Sequence, residues 1–238
     1  MRSLLIEDGN KLILIDNGIG DKQDEKFLRH YYLHGDDSLK KSLNKYGFSE
    51  DDITDVFLSH LHFDHCGGSV KWNNDKSGFE MTFKNAKYWS NEQHWKHALN
   101  SNFREKASFL KDNILPIQES GHLNFVKRGE KFHDYFDVLF VDGHTEAQMI
   151  PHIKYKEKTI IFAADLLPST GHIPLAYVMG YDVQPLKTLD EKSKFLLDAA
   201  NNNHIIFLQH DNYNECCTLK NGEKGVVLDQ TFKLTEIL

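Results

Sequence analysis

The segment His60-Leu61-His62-Phe63-Asp64-His65 places three histidines and an aspartate within six positions. It follows the apolar run Val56-Phe57-Leu58 and leads into Cys66-Gly67-Gly68. Imidazole nitrogen and carboxylate oxygen are a typical donor set for zinc. Histidines also gather by chance on solvated loops, and a lone histidine is usually structural. A fixed spacing, a strand-like run in front and a glycine pair behind favour a metal-binding loop here. Other apolar runs end in residues of the same kind: 136–141 leads to Gly143-His144, 159–164 to Asp165, and 205–208 to Gln209-His210. Strand ends along one sheet edge can converge on a common crevice, where rigid elements hold the ligands. His60, His62, Asp64, His65, His144, Asp165 and His210 are too many for one tetrahedral zinc. They suit two metals that share one bridging carboxylate. His30, His34, His94, His97, His122, His133 and His204 lack ligand spacing and read as surface or structural residues, and His152, inside a strand pattern, reads as structural.

The elements that must carry these residues are legible in outline. Residues 2–7 and 11–16 alternate as two strands around the turn signal Asp8-Gly9-Asn10. Residues 23–34 and 38–46 read as helices, and Ser49 to Asp52 as a capping box with Ser49 as N-cap. Residues 55–59 form a short buried strand that delivers the histidine cluster. A loop with short strands is expected over 72–84 and a strand over 87–89. Ser90 with Gln93 reads as a second capping box, opening a helix toward Leu99, and 104–113 as a further helix. Strands are expected at 136–141, 148–155, 159–164, 205–208, 226–228 and 232–234, with a helix over 187–200. Strands and helices alternate without a glycine-rich phosphate loop, which points to sheets covered by helices rather than a nucleotide-binding fold. The whole chain, 1–238, reads as a single domain.

Composition narrows the function classes. The 238 residues carry a formal net charge of −7 and no clustered Lys/Arg run, which argues against nucleic acid as a partner. No apolar stretch approaches the roughly 20 residues that span a bilayer, so no membrane partner is expected. The N-terminus does not read as a signal peptide. Three cysteines, Cys66, Cys216 and Cys217, are odd in number and two are adjacent, so reduced thiols and a cytoplasmic location are expected. Cys66 lies beside the histidine cluster but reads as a small packing residue rather than a ligand. A homodimer is the expectation from base rates alone.

The histidine cluster, together with Gly143-His144, Asp165 and His210 in that order, resembles the metallo-β-lactamase superfamily over essentially the whole chain. The segment Ala163-Ala164-Asp165-Leu166-Leu167-Pro168-Ser169-Thr170-Gly171-His172-Ile173-Pro174, with Met179-Gly180-Tyr181-Asp182, is similar to the branch that holds N-acyl homoserine lactonases and methyl parathion hydrolase. The resemblance implies an α/β fold, an αββα sandwich of two mixed sheets flanked by helices. It implies that His60, His62 and His144 bind a first metal, that Asp64, His65 and His210 bind a second, and that Asp165 bridges them. His at position 62, where di-iron members carry Glu, favours two zinc ions over iron, with iron or manganese as the alternatives. The bridging Asp165 speaks against antibiotic hydrolysis, since true β-lactamases of this fold lack that carboxylate. The long helical C-terminal extension of glyoxalase II and the inserted domain of RNA-processing members have no counterpart. Relatives usually carry a further N-terminal strand and pocket loop before the equivalent of Ser3-Leu4-Leu5-Ile6, so the resemblance implies either a naturally short start or a segment cut away or misassigned.

The activity implied is hydrolysis of a small-molecule lactone or similar ester by a metal-bridging hydroxide. Asp64 would act as the catalytic acid/base, orienting the hydroxide and passing a proton to the leaving group. His172, seven residues past Asp165, is a candidate substrate contact; Phe63, Tyr177, Tyr181 and Trp72 are candidate pocket walls. Asp211 and Thr145, each next to a ligand, are candidates for orienting ligands. The alternatives are a phosphotriesterase, since a two-metal clamp also suits displacement at phosphorus, and a metal-binding module without turnover.

Overall fold

A computed structural model describes every residue, Met1 to Leu238. The chain divides into two compact units, Ser3–Phe125 and Val126–Leu238, the second joined by Met1–Arg2.

The unit Ser3–Phe125 opens with the expected hairpin of β1 (Leu4–Asp8) and β2 (Lys11–Ile15). Gly9 takes φ +59° in its turn, a conformation that only glycine reaches without cost. Helices α1 (Glu25–Leu28) and α2 (Leu39–Lys45) lead to β3 (Asp55–Phe57). The single turn α3 (Phe63–Cys66) follows, then the two-stranded ribbon of β4 (Val70–Trp72) and β5 (Phe79–Met81). Strand β6 (Lys87–Ser90), helices α4 (Glu92–Leu99) and α5 (Lys111–Glu119), and β7 (Leu123–Phe125) complete the unit. The sheet order is β1-β2-β3-β6-β7, with β2, β3, β6 and β7 parallel. Leu14, Val56, Leu58, Tyr88, Ile114 and Ile117 are buried in one apolar cluster, each aliphatic side chain contributing about 1.5–3 kcal/mol. Because β2 and β3 are parallel, both end at one edge, where the Asp16 N–H donates to the Phe57 carbonyl at 2.9 Å.

Four local expectations shift in this unit. The segment 23–34 holds only α1 and a 3-10 turn, Arg29–Tyr31, neither with a buried residue, so no packed face sustains a longer helix. Ser49 does pair with Asp52, its N–H and hydroxyl both donating to the carboxylate at 2.7 Å, but the box opens a 3-10 turn, Glu50–Asp52. The cap of α4 is Asn91, whose Oδ1 accepts from the His94 N–H at 2.8 Å, while Ser90 ends β6 opposite Phe125. Residues 104–110 are not helical. Asn102 Oδ1 accepts from the N–H groups of Arg104 and Glu105 at 2.9 and 3.1 Å, a local turn that competes with helix.

The second unit contains β8 (Phe136–Val141), β9 (Gln148–Tyr155), β10 (Lys158–Phe162), α6 (Pro185–Asn201), β11 (Ile205–Phe207), β12 (Cys216–Gly222) and β13 (Gly225–Phe232). Its sheet order is β13-β12-β11-β10-β9-β8. The C-terminus departs from expectation: one long hairpin of β12 and β13 replaces two short strands. The Cys216-Cys217 pair, read only as thiols, is the buried start of β12. Strand β9 is antiparallel to both β8 and β10, and β10 is parallel to β11. The carboxyl ends of β8, β10 and β11 therefore share one edge, where open α/β sheets place their ligands. Phe162 pairs with Phe207, so three residues further on Asp165 stands level with His210.

His152 lies half-buried in β9. Burial, assisted by His204, lowers its pKa to about 4. The folded state thus holds this proton less tightly than the unfolded chain. Stability is lost as pH falls from about 6.5 toward 4, by about 2 kcal/mol at pH 5. Urea unfolding at pH 7 and pH 5 is expected to show His152→Gln losing less stability on acidification than the wild type; equal losses would remove His152 as the cause.

Candidate metal centre

In the unit Ser3–Phe125, β3 delivers Ser59 and His60, and the turn α3 presents Asp64 and His65. His60 Nε2 lies 3.1 Å from His62 Nδ1, and His65 Nε2 lies 3.6 Å from Asp64 Oδ2. The His60 and His65 rings are 3.9 Å apart at their centroids. Behind them sits Asp16, wholly buried. Its Oδ1 accepts from the Ser59 N–H at 2.7 Å; its Oδ2 accepts from the Ser59 hydroxyl at 2.7 Å and lies 2.9 Å from His65 Nδ1. A carboxylate only accepts, so the proton of His65 is drawn to Nδ1 and Nε2 is left as a lone-pair donor. The Leu61 N–H donates to His94 Nε2 at 2.9 Å, which pins the backbone between the first two histidines.

The glycines after the cluster have a specific use. A Cβ on Gly67 would stand 2.1 Å from the Ile19 carbonyl oxygen, and one on Gly68 2.3 Å from that of Asn17. Lys22 donates to the Gly67 carbonyl at 2.6 Å, and burial lowers its pKa to about 8. Cys66 is buried, its thiol donating to the Leu61 carbonyl, and burial pushes its pKa up to about 12. A thiol so tied is a packing group, as the sequence suggests, and not a ligand.

In the second unit His144, Asp165 and His210 follow β8, β10 and β11. Asp165 Oδ2 lies 3.2 Å from His144 Nε2 and its Oδ1 3.1 Å from His210 Nε2. Each oxygen of one buried carboxylate thus faces a different imidazole. The outer nitrogen of His144, Nδ1, lies 3.0 Å from Asp182 Oδ1, both side chains buried. Ala164, just before Asp165, holds φ +42°, a strained position of a kind that collects at functional sites. Two ligand atoms on a tetrahedral zinc stand about 3.3 Å apart. The 3.1–3.2 Å separations within these pairs fit that chemistry.

The remaining candidates divide. His172 Nδ1 lies 2.9 Å from the Ser169 hydroxyl, and burial, with Lys192 nearby, holds its imidazole below the ordinary pKa. The buried Lys192 ammonium donates to the carbonyls of His172 and Pro174 at 3.0 and 3.3 Å, and to that of Tyr177, clamping residues 172–177. Tyr177 and Tyr181 are exposed. Phe63 packs against Phe27 and Tyr31 at 5.3 and 4.9 Å. Trp72 lies with Lys22, Phe79 and Asp112 around a cavity of about 530 Å³ that no metal-ligand candidate lines. Asp211 does not contact a ligand ring. Burial pushes its carboxyl up, but the N–H groups of Thr170, Asn214 and Tyr213 and the Thr170 hydroxyl outweigh that and hold it well below the usual range. It staples two loops. The buried Thr145 hydroxyl makes no hydrogen bond and orients nothing.

Asp16, Glu105 and Asp182 are supporting residues to which sequence reasoning gave no role, whereas His94, read as surface or structural, is buried in a structural role. Asp16 carried a usable signal as an acid at the end of a buried strand, the pattern that picked out Asp165, and Asp182 closes the segment that resembles the lactonase branch.

A family model for the metallo-beta-lactamase superfamily matches residues 2–210. The chain belongs to the metallo-β-lactamase superfamily. Its fold is the mixed α/β fold of that superfamily, and the chain is a metal-dependent hydrolase by membership. No curated protein matches this sequence. Among solved structures, a probable metal-dependent hydrolase from Staphylococcus aureus aligns at TM-score 0.84 and 22% identity, over 97% of this chain and 82% of that one. AidC, a dizinc quorum-quenching lactonase solved with the product N-hexanoyl-L-homoserine, aligns at 0.75 and 24%, over 97% and 79%. The hydrolase AbOPH of the β-lactamase superfamily aligns at 0.76 and 22%, over 96% and 79%. These likenesses show the fold, and they include the lactonase branch that the sequence resembles. No helix is long and apolar enough to cross a membrane.

Proposed function

We propose that this protein is a dinuclear zinc hydrolase that opens lactones or similar carboxylic esters, with N-acyl homoserine lactones as the class to test first. The observation that carries the reading is Asp165, whose two oxygens each face a separate imidazole, an arrangement that suits a carboxylate shared by two metals. In this reading His60, His62 and His144 hold one metal, Asp64, His65 and His210 the other, and Asp165 both. Superfamily membership and the ligand-pair spacings within each unit support the assignment. The dizinc lactonase AidC among the structural neighbours supports zinc and the lactone class.

Two zinc ions there would supply a Lewis acid for the substrate carbonyl and a water activated near neutral pH. The chain's own residues do the rest. Asp16 and Asp182 fix the ring orientations of His65 and His144. Asp64, whose side chain is 28% exposed, takes up a proton from the attacking water and returns it to the leaving alkoxide. His172, on the loop that Lys192 clamps, meets the polar part of the substrate, while Phe63, Tyr177 and Tyr181 offer apolar surface to an acyl chain.

The test is a hydrolysis panel on the zinc-loaded protein, with metal content measured alongside: lactones of graded acyl length, an organophosphate triester, a chromogenic β-lactam and a thioester. Lactone opening is expected to dominate. Faster triester turnover would move the reading to a phosphotriesterase, and two bound zincs with no turnover on any substrate would make the protein a binding module. A native preparation carrying iron or manganese instead would correct the metal and leave the ligands standing.

A further inference from the structure

We propose that Glu105 is a positioning residue for His62: it holds the imidazole proton at Nε2 and so keeps Nδ1 open for metal. The proposal rests on the dinuclear reading above and deepens it. His62 has two chemically distinct nitrogens. Its Nδ1 faces His60 Nε2 at 3.1 Å, and its Nε2 faces Glu105 Oε1 at 3.7 Å. A neutral imidazole carries one proton, and its placement decides which nitrogen can ligate. A carboxylate is acceptor only, so it favours the tautomer with hydrogen on Nε2 and the lone pair on Nδ1, the atom that the His60 pairing makes the ligand. A movement of under about 1 Å would turn the contact into a hydrogen bond of normal length.

Glu105 is built for this place. Its side chain is only 3% exposed, and a buried carboxylate is tolerated only when it is paired and hydrogen-bonded. Its other oxygen, Oε2, accepts from Asn102 Nδ2 at 2.6 Å and lies 2.7 Å from His97 Nε2. Those two partners leave Oε1 directed at His62. The same segment grips the metal loop at two further points. The Phe63 N–H donates to the Ser108 carbonyl at 2.9 Å, and the Phe109 ring lies 4.8 Å from that of His62, and 5.7 and 5.8 Å from those of His94 and His97. The non-helical course of residues 104–110 is what brings Glu105, Ser108 and Phe109 to the loop together.

The experiment uses the full chain and zinc alone. Competition with a chromogenic chelator is expected to show Glu105→Gln binding its first zinc about 10–100-fold more weakly, with Glu105→Asp, which keeps the charge, retaining more of the affinity. Long-range ¹H–¹⁵N NMR of the metal-free wild type is expected to show His62 protonated at Nε2. A role confined to stapling the loop to α4 would lower the melting temperature of Glu105→Gln yet leave its zinc affinity unchanged, and that result overturns the proposal. So does an Nδ1-protonated His62 in the wild type, which needs no variant to fold. If the wild type binds two zincs and Glu105→Gln binds them equally well, only the role of Glu105 falls; if the wild type binds none, the dinuclear reading falls with it.

Discussion

Asp165→Ala is expected to leave a folded protein that no longer holds two metals and has lost lactone turnover by well over 100-fold. That loss exceeds the 10–100-fold typical of changes behind the ligands, because Asp165 is itself the shared ligand of the proposed centre. Its carboxylate stands between Nε2 of His144 and Nε2 of His210, one oxygen to each. Alanine removes both contacts and the negative charge that the two cations would share. Asp165→Asn separates shape from charge: one amide oxygen can still ligate, so occupancy is expected to fall to one metal rather than none. Zinc per protein by elemental analysis, read beside lactone turnover, decides the matter. An alanine variant that keeps two zincs and full turnover would sink the bridging assignment. Folding is not at stake to the same degree, since a buried carboxylate without its metals is itself a desolvation cost.

The second large effect is at Asp16, where stability and metal binding are coupled. Asp16→Ala would strip acceptors from the Ser59 N–H, the Ser59 hydroxyl and His65 Nδ1, all buried. Each unsatisfied buried donor costs about 1–3 kcal/mol, and Ala bears φ +52° at this position worse than Asp or Asn. A total of about 3–5 kcal/mol is expected, a large part of the about 5–15 kcal/mol that a domain has. Asp16→Asn is more discriminating. The asparagine tolerates the backbone and its oxygen can still serve the Ser59 N–H, but its NH₂ then faces the side where His65 Nδ1 lies. His65 must accept there, which moves its proton to Nε2 and blocks the ligating nitrogen. This variant is expected to unfold in urea near the wild-type midpoint yet bind one zinc fewer. Full zinc content in Asp16→Asn would show that Asp16 does not control the ring.

These two sites also mark the boundary of what can be read along the chain. The proposed ligands are legible because their signals are local. His60 to His65 sit within six positions of one another, and His144, Asp165 and His210 each follow an apolar strand pattern. The strands 136–141 and 148–155 fall where short apolar runs place them. Where local signals competed, the reading slipped: Ser90 and Asn91 are both good caps, and the Asn102 turn overrode the helical pattern of residues 104–110. The pocket walls are the least legible part of the site, because aromatic residues such as Trp72 carry no local mark of what they will face.

Residue types and spacing alone pointed to metal chemistry, to the superfamily whose model matches the chain, and to the ligands proposed for it. The fold decided which groups stand behind those ligands. Asp16 reaches His65 across 49 positions, Asp182 reaches His144 across 38, and His94 holds Leu61 across 33. A metal ligand is recognisable from its own chemistry and its neighbours, whereas an orienting partner is any acceptor that parallel strand ends and a loop happen to bring within 3 Å. That choice is made by strand register and packing, and these depend on contacts far apart in the chain.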